Sequence, residues 1–225
     1  RDGPGAGSAR LRPLDGSLSN LAARGSSIVD GIVSMVSGGL SVGLGVYVHE
    51  DDRLLASYLY LWGISGVGRG VIDVALRPRA TQPSIEFSHM PMSTMEEVDA
   101  RLRFGENALD ELARRARLAR ILDSSISLAT GVLVLPVYYI PTGFTFDEPF
   151  DYFVLVGAGI SVITGIVNLA SRSNAERRWS AYQDLVERLE SRDETAENEE
   201  RGFQLEHVGA AALRGGGGGS VRFSF

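Results

Sequence analysis

The sequence predicts an all-α membrane protein in which four transmembrane helices form two tandem helical hairpins. Its apolar residues gather into four runs, while nearly all charged residues lie between and after them. Each run holds about 20 residues, the length that a helix needs to cross a bilayer core of about 30 Å. The acidic loops between paired runs are short, which favours a helical hairpin turn. An internal sequence match also predicts that the two hairpins are copies of one another.

The internal sequence match covers most of the length of the two hairpins. The run from Ile121 to Ile140 aligns without gaps with the run from Ile28 to Tyr47. The aligned pairs of identical or similar residues are Asp123 with Asp30, Ser127 with Ser34, Thr130 with Ser37, Gly131 with Gly38 and Leu133 with Leu40. The second halves also agree, since 165–170 aligns with 70–75 and places Asn168 opposite Asp73. We therefore expect a tandem repeat of one hairpin.

In chain order, the pattern divides the sequence into six segments. Gly, Pro and Ser at the N-terminus predict an extended arm, and a linker with an amphipathic helix separates the two hairpins. The second hairpin is followed by a cytoplasmic helix and by a glycine-rich tail that ends in a strand. The segments are 1–26 (arm), 27–76 (first hairpin), 77–119 (cytoplasmic linker and amphipathic helix), 120–171 (second hairpin), 172–201 (cytoplasmic helix) and 202–225 (tail).

The linker between the hairpins can be predicted in finer detail. Residues 80–92 contain proline and predict a loop, after which Ser93 begins a helix with a capping box through Glu96. Apolar residues recur at helical spacing from Leu102 to Ala119, so this helix is expected to run unbroken into the third span. Pro136 is expected to kink that span near its far end.

Arginine and aromatic residues independently predict one orientation. Arginines lie at the open ends of both hairpins, whereas tyrosines and acidic residues lie at the hairpin loops. Positive charge is retained in the cytoplasm and tyrosine prefers the membrane interface, so both termini are expected to be cytoplasmic. The two hairpins then form a parallel repeat about an axis along the membrane normal. All 22 basic residues are arginine, which indicates a GC-rich genome. The expected location is a bacterial inner membrane. A removed signal peptide would place the N-terminus outside and contradict the arginine rule, so the outer membrane stays an alternative.

Small residues predict how the helices pack. In lipid there is no hydrophobic driving force between apolar helix faces, so close helix contact relies on small residues that let backbones approach. Pairs of small residues spaced by four occur in every predicted span. The residues assigned to packing are Gly39, Gly43, Gly66, Gly70, Gly131, Ser161 and Gly165. They predict packing within the chain, between chains, or both.

Five polar residues inside the spans form a predicted layer near the cytoplasmic end: Asp30, Arg69, Asp73, Asp123 and Asn168. A charge at mid-span costs about 2.5 to 3.5 kcal/mol, so each should face protein or water. Arg69 and Asp73 lie four residues apart and are expected to pair. The layer is either an ion or proton site or an interhelical clamp. The clamp is favoured because transporters place such groups nearer the midplane.

Two further segments carry candidate binding residues. The loop from His49 to Asp52, with acidic residues of the 142–151 loop, offers oxygen ligands for a divalent cation. A solvated acidic turn explains that loop more simply. In the tail, Val221, Phe223 and Phe225 alternate with polar residues after five glycines. This pattern predicts a flexible linker and a strand that binds a partner by strand addition.

The function favoured by these patterns is a non-enzymatic integral membrane protein that serves as a structural or scaffold subunit of a larger assembly. The chain has no cysteine, and no nucleophile with a base, phosphate loop or metal motif is recognisable. No catalytic residue, metal, cofactor or small-molecule substrate is therefore predicted. A net charge of -6 without an unopposed basic face argues against nucleic acid.

The expected partners are the lipid bilayer and other subunits or further copies of the chain. Two alternatives stay open. One is a small channel or ion-coupled transporter that uses the polar layer. The other is a soluble or periplasmic helical protein.

Overall fold

The computed structural model describes residues 4–23, 28–77, 79–146, 148–202, 204–213 and 216–224, with side chains described within 10–192. The chain forms two compact units, Arg1–Ser180 and Ala181–Phe225. The elements in chain order are α1 (Pro4–Ala23), α2 (Ile28–Val48), α3 (Arg53–Leu76), α4 (Thr81–His89), α5 (Met95–Val134), a π-helical turn (Leu135–Tyr139), α6 (Pro149–Ala170), α7 (Asn174–Gly202), β1 (Gln204–Leu213) and β2 (Gly216–Ser224).

Within the described residues, four helical stretches are long and apolar enough to cross a membrane, and they contain α2, α3, α5 and α6. Their outward surfaces are apolar, with Leu40 65% and Ile163 63% exposed. A water-soluble fold would bury many of these side chains, whereas a lipid-facing helix exposes them. The prediction of four long apolar helices is therefore confirmed, and it indicates a membrane location.

α2 and α3 form a hairpin with very close backbone contact. The Asp52 carboxylate ends the turn and caps α3, because it accepts hydrogen bonds from the backbone N–H groups of Leu54 and Leu55, each at 3.0 Å. At the helix crossing, a Cβ added to Gly38 would lie only 2.6 Å from the carbonyl oxygen of Gly63. Glycine is therefore required at this crossing for the two backbones to approach so closely.

α5 and α6 form a second hairpin of the same kind. A Cβ on Gly131 would lie 2.7 Å from the carbonyl oxygen of Ala158, and one on Gly165 would lie 3.0 Å from that of Ser124. Close contact between the backbones of α5 and α6 therefore depends on glycine at both levels.

α5 is a single helix of 40 residues, as expected from the periodicity that runs into the third span. Its capping box is formed by Thr94 and Glu97, one residue later than predicted: the Glu97 N–H donates to the Thr94 Oγ1 at 3.2 Å, and the Thr94 N–H donates to the Glu97 carboxylate at 3.1 Å. The helix changes at Leu135 into the π-helical turn, whose second residue is Pro136. Proline lacks the N–H that an α-helix needs, which accounts for the irregularity at this place.

The four apolar helices pack in the row α2–α3–α5–α6. α2 packs chiefly against α3, α3 also packs against α5, and α5 packs against α6. α2 and α6 are therefore the edge helices of this row, and α3 also reaches α6 at the loop end, where the rings of Tyr58 and Phe150 lie 5.7 Å apart. Most of the outward surface of each edge helix is left uncovered by the described residues of the other apolar helices.

The prediction of an extended arm over residues 1–26 is wrong for the described part of that segment. Residues Pro4–Ala23 form α1 despite Pro13. Leu14 and Leu18 are fully buried, and α1 packs against α4 and α5. The spacing of leucines at 11, 14, 18 and 21 gives α1 one apolar stripe, and burial of that stripe outweighs the Gly and Pro content.

The prediction of a loop over residues 80–92 is also wrong, because 81–89 forms α4. Pro83 lies in the first turn of α4, where a helix has unpaired N–H groups and tolerates proline. Phe87 is fully buried, and its ring lies 4.5 Å from the Arg101 guanidinium of α5. A cation over an aromatic face is a favourable contact that helps to hold α4 on α5.

The second unit contains an antiparallel hairpin. β1 pairs with β2, with Val208 opposite Val221 and Leu205 opposite Phe223. The strand is longer than the predicted one, because Gly216–Gly219, expected to be linker, pair with 210–213. The partner-binding role of Val221 and Phe223 stays a prediction, and Phe225 lies outside the described residues.

Candidate functional site: polar contacts between the apolar helices

The α3–α5 interface contains a polar ladder formed by Ser65, Arg69, Asp123, Ser127 and Thr130. The Arg69 Nη2 donates a hydrogen bond of 2.7 Å to the Ser127 Oγ, and the Arg69 Nε lies 3.5 Å from the Asp123 Oδ1. One turn away, the hydroxyls of Ser65 and Thr130 share a hydrogen bond. Ser127 and Thr130 are almost fully buried. The ladder gives these polar groups partners across the interface, and lipid chains offer no such partners.

Arg77 connects α2 with α3 at the ends of these helices that lie away from the hairpin turn. Its Nε lies 3.3 Å from the Asp73 Oδ1, and its Nη1 lies 3.9 Å from the Asp30 Oδ2. The predicted pairing of Asp73 with Arg69 is therefore wrong. Arg69 instead reaches across to α5, where a hydroxyl and a carboxylate are both available, and Asp73 pairs with the arginine one turn later.

Asn168 contributes to the contacts between helices through its backbone. Its carbonyl oxygen, at the end of α6, accepts a hydrogen bond of 3.1 Å from the Arg120 Nη1, which also donates to the carbonyl oxygen of Leu169 at 2.6 Å. The same guanidinium donates from Nε and Nη2 to the two carboxylate oxygens of Glu176 at 3.1 and 3.0 Å. Arg120 thus joins α5, the end of α6 and the start of α7.

Glu176 is set in place by the start of α7. Its carboxylate accepts the Ser173 N–H at 2.7 Å, and its own N–H donates to the Ser173 Oγ at 3.3 Å. Burial by itself raises the pKa of the Glu176 carboxyl, but hydrogen bonds from Arg120 and Ser173 outweigh burial and hold the pKa below its ordinary value. Arg120 and Glu176 were not among the predicted site residues. The Ser-x-x-Glu pattern at 173–176 is a capping-box signal that could have indicated the carboxylate.

The predicted polar layer is therefore divided among three helix interfaces. Asp30 and Asp73 belong to α2–α3, Arg69 and Asp123 belong to α3–α5, and Asn168 belongs to α5–α6. Each of the five contributes to a contact between helices or lies within one turn of such a contact. In the described part of the chain, the layer thus contributes to contacts between neighbouring helices, and its role as a clamp or as an ion site stays a prediction.

The predicted packing glycines fall into two groups. Gly66, Gly70, Gly131 and Gly165 lie at close helix contacts, and Ser161 is buried. Gly39 and Gly43 differ from these, because a Cβ at either would meet nothing within 4 Å. Additional contact glycines were missed, namely Gly31, Gly38, Gly45 and Gly63. The signal for Gly31, Gly38 and Gly45 was their spacing of seven on α2, which keeps one side of a helix toward its neighbour.

The loop end of the helices is held by aromatic residues and one buried carboxylate. The Tyr138 hydroxyl donates to the Asp151 Oδ1 at 2.7 Å, and the Tyr139 hydroxyl donates to the Asp151 carbonyl oxygen at 2.6 Å. The other Asp151 carboxylate oxygen accepts the Glu148 N–H at 3.0 Å and so caps α6. The ring of Tyr58 on α3 packs edge-on against Tyr138, with 6.3 Å between centroids.

An open cavity of about 450 Å³ lies at this loop end, lined in part by Asp52, Glu148, Asp151, Thr142 and Thr145. The Asp52 and Asp151 carboxylates already cap helices. Across the described residues, no group of three or more His, Asp or Glu side chains is arranged to hold a metal ion. The residues of the first acidic turn, 49–53, are exposed.

No family model, curated protein or solved structure matches this chain. The function must therefore be argued from the geometry of its own residues.

Proposed function

We propose that this chain is a non-enzymatic integral membrane protein that serves as a structural or scaffold subunit of a larger membrane assembly. The observation that carries the proposal is the open row of apolar helices. α2 lies at one edge of the row, and its Gly39 and Gly43 face open space while the other packing glycines contact a neighbouring helix. Small residues spaced by four on an uncovered helix are suited to close packing against another transmembrane helix.

The polar contacts support the same proposal. Arg69 links α3 to α5, Arg77 links α3 to α2, and Arg120 links α5 to α6 and α7. Interactions of this kind fix helices against one another and give a rigid surface for partners. The proposed partners are lipid, other subunits and further copies of the chain.

We also propose that the two hairpins are a parallel tandem repeat with both termini in the cytoplasm of a bacterial cell, in the inner membrane. Gly38 and Gly131 occupy aligned positions, and each lies at the close crossing of its own hairpin. The arginines of both hairpins lie at the open ends, which supports a cytoplasmic position for those ends.

A second candidate is an ion or proton path along the α3–α5 polar ladder. It is favoured by the partial exposure of Arg69 and Asp123, whose side chains keep 31% and 36% of their surface accessible. Asp123→Asn separates the two candidates, because Asp123 belongs to the ladder and its partner Arg69 lies within the chain. A scaffold retains its assembly with a modest loss of stability, whereas an ion path loses flux in reconstituted vesicles.

The test of the proposed function is extraction in a mild detergent, followed by size analysis and mass spectrometry of the particle that contains the chain. A particle much larger than the chain, with companions in fixed stoichiometry, is expected. A lone monomer would contradict the proposal and favour the ion-path candidate. The double variant Gly39→Leu, Gly43→Leu tests the surface directly, because it is expected to reduce the large particle while the chain itself stays folded.

A further inference from the structure

We propose that one flank of α2, formed by Asp30, Val33, Ser34 and Ser37, binds a transmembrane helix of a different protein that carries an arginine at its cytoplasmic end. We call this flank the α2 docking face. The inference rests on the proposed function and deepens it by adding a second contact surface, on a different flank of α2 from Gly39 and Gly43, and the chemistry of its partner.

The first argument is that an equivalent face exists inside the chain, and a helix covers it. The residues of α5 that align with the α2 docking face are Asp123, Ile126, Ser127 and Thr130. α3 packs on all four levels of that face: Arg69 contacts Asp123 and Ser127, Ser65 contacts Thr130, and a Cβ on Gly68 would lie 3.2 Å from the Ile126 Cδ1.

The second argument is the matching hydroxyl chemistry. The Ser127 hydroxyl donates to the Asp123 carbonyl oxygen at 2.9 Å, which leaves its oxygen free to accept from Arg69. The Ser34 hydroxyl donates to the Asp30 carbonyl oxygen at the same distance of 2.9 Å. Ser34 therefore presents the acceptor arrangement that binds a guanidinium one repeat later.

The third argument is burial. The Asp30 side chain is 66% exposed, whereas that of Asp123 is 36% exposed. Ser37 is exposed, whereas the aligned Thr130 is almost fully buried. The α2 docking face thus has the composition of a covered interface and the exposure of an uncovered one.

The fourth argument is charge. In the part of the chain that the structure describes, Asp30 and Asp73 share the guanidinium of Arg77, so these three groups carry one surplus negative charge. The Arg69–Asp123 pair is balanced. An unbalanced charge near the membrane is costly, and a cation from a partner helix would neutralise it. The partner is therefore identified by an arginine that can reach Asp30 and Ser34.

Among the described residues, a second copy of the chain does not offer an arginine at the matching level of an uncovered apolar helix. The matching pattern in this chain is Ser65, Gly68 and Arg69 on α3, and that side of α3 is covered by α5. The uncovered edge helix α6 has Ile160, Ile163 and Thr164 at the aligned positions. The occupant is thus a different chain, with an arginine, a small residue directly before it and a hydroxyl residue one turn earlier.

The experiment uses a small diazirine amino acid placed at Ser37 in the full chain, followed by photo-crosslinking in intact membranes. The matched control is Ile160 on α6, which is 59% exposed and lies at the level where α6 crosses Gly131, the residue aligned with Gly38. A single protein adduct is expected from position 37, mapped to a transmembrane segment that ends in arginine, with little of it from position 160. An adduct of two identical chains, equal adducts at both positions, or lipid adducts alone would overturn the inference.

The charge is tested by Asp30→Asn, which should lower the adduct yield at position 37 by about 3- to 10-fold, the range expected for one polar interhelical contact. The control Asp123→Asn removes the aligned carboxylate, whose partner lies within the chain, and should leave the yield per folded chain unchanged. Asp30→Arg should abolish the adduct, and changing the partner arginine to Asp should restore it.

If Asp30→Asn has no effect while the extracted particle stays large, this inference fails and the proposed function stands. If the particle is a monomer, the proposed function itself fails.

Discussion

Replacing Gly38 by alanine tests the close contact on which the first hairpin depends. A Cβ at this position would lie 2.6 Å from both the Gly63 carbonyl oxygen and the Val67 nitrogen, which is 0.8 Å short of the 3.4 Å at which ordinary contact begins. These are backbone atoms, so no side-chain rotation can relieve the clash. α2 and α3 must separate locally, and other contacts along the crossing must loosen.

We expect Gly38→Ala to lower the free energy of unfolding by about 1 to 3 kcal/mol, the usual cost of overpacking a tight interface. The measurement is equilibrium unfolding of the purified chain in mixed micelles. Gly39→Ala is the matched control, because a Cβ there meets nothing within 4 Å, and it should change stability by less than about 0.5 kcal/mol. If Gly38→Ala is as stable as the wild type, or if both variants lose the same amount, the assigned crossing is wrong.

Three further predictions concern the polar contacts. Glu176→Gln removes the charge that Arg120 binds and should cost about 2 kcal/mol at pH 7. The folded-state pKa of Glu176 is depressed, so its contribution to stability is present above the ordinary carboxyl pKa and is lost as the pH falls through the lower folded pKa. The stabilities of wild type and variant should therefore converge in acid. A constant difference in stability down to low pH would contradict the assignment. Tyr138→Phe deletes the hydroxyl that donates to Asp151 and should cost about 1 kcal/mol in the same unfolding assay, whereas Tyr152→Phe, which is exposed, should cost little. Arg69→Leu leaves Asp123 without its guanidinium and should lower stability by about 1 to 2 kcal/mol without changing ion flux; a change in flux with unchanged stability would favour the ion-path candidate.

The apolar helices could be predicted well because their signals are local. The runs that became α2, α3 and α6 are bounded by polar turns, and Asp52 and Pro149 are ordinary helix-start residues. The start of α5 was misplaced by one residue, because Ser93 and Thr94 are both possible caps and acidic residues follow both at the required spacing.

The errors came from features that depend on tertiary packing. α1 and α4 have compositions typical of loops, and their helices are favoured only because Leu14, Leu18 and Phe87 become buried. The partner of Arg69 could not be chosen from spacing, since a long guanidinium side chain can reach along its own helix or across to the next one. Gly39 and Gly43 match the spacing rule as well as Gly66 and Gly70, and only the structure shows which pair has a neighbour in the chain.

The central claim is that α2, α3, α5 and α6 cross a membrane with the arginine-rich ends in the cytoplasm, because the lipid-facing surfaces, the edge helices and the docking face all depend on it. The chain has no cysteine, so single cysteines can be placed at Glu50 and Thr145 in the hairpin loops and at Ser88 and Arg172 at the open ends. A membrane-impermeant maleimide is then added to intact spheroplasts. We predict labelling of positions 50 and 145 at once, and of positions 88 and 172 only after permeabilisation. Labelling of all four positions in intact spheroplasts, or recovery of the chain in the soluble fraction, would contradict the account.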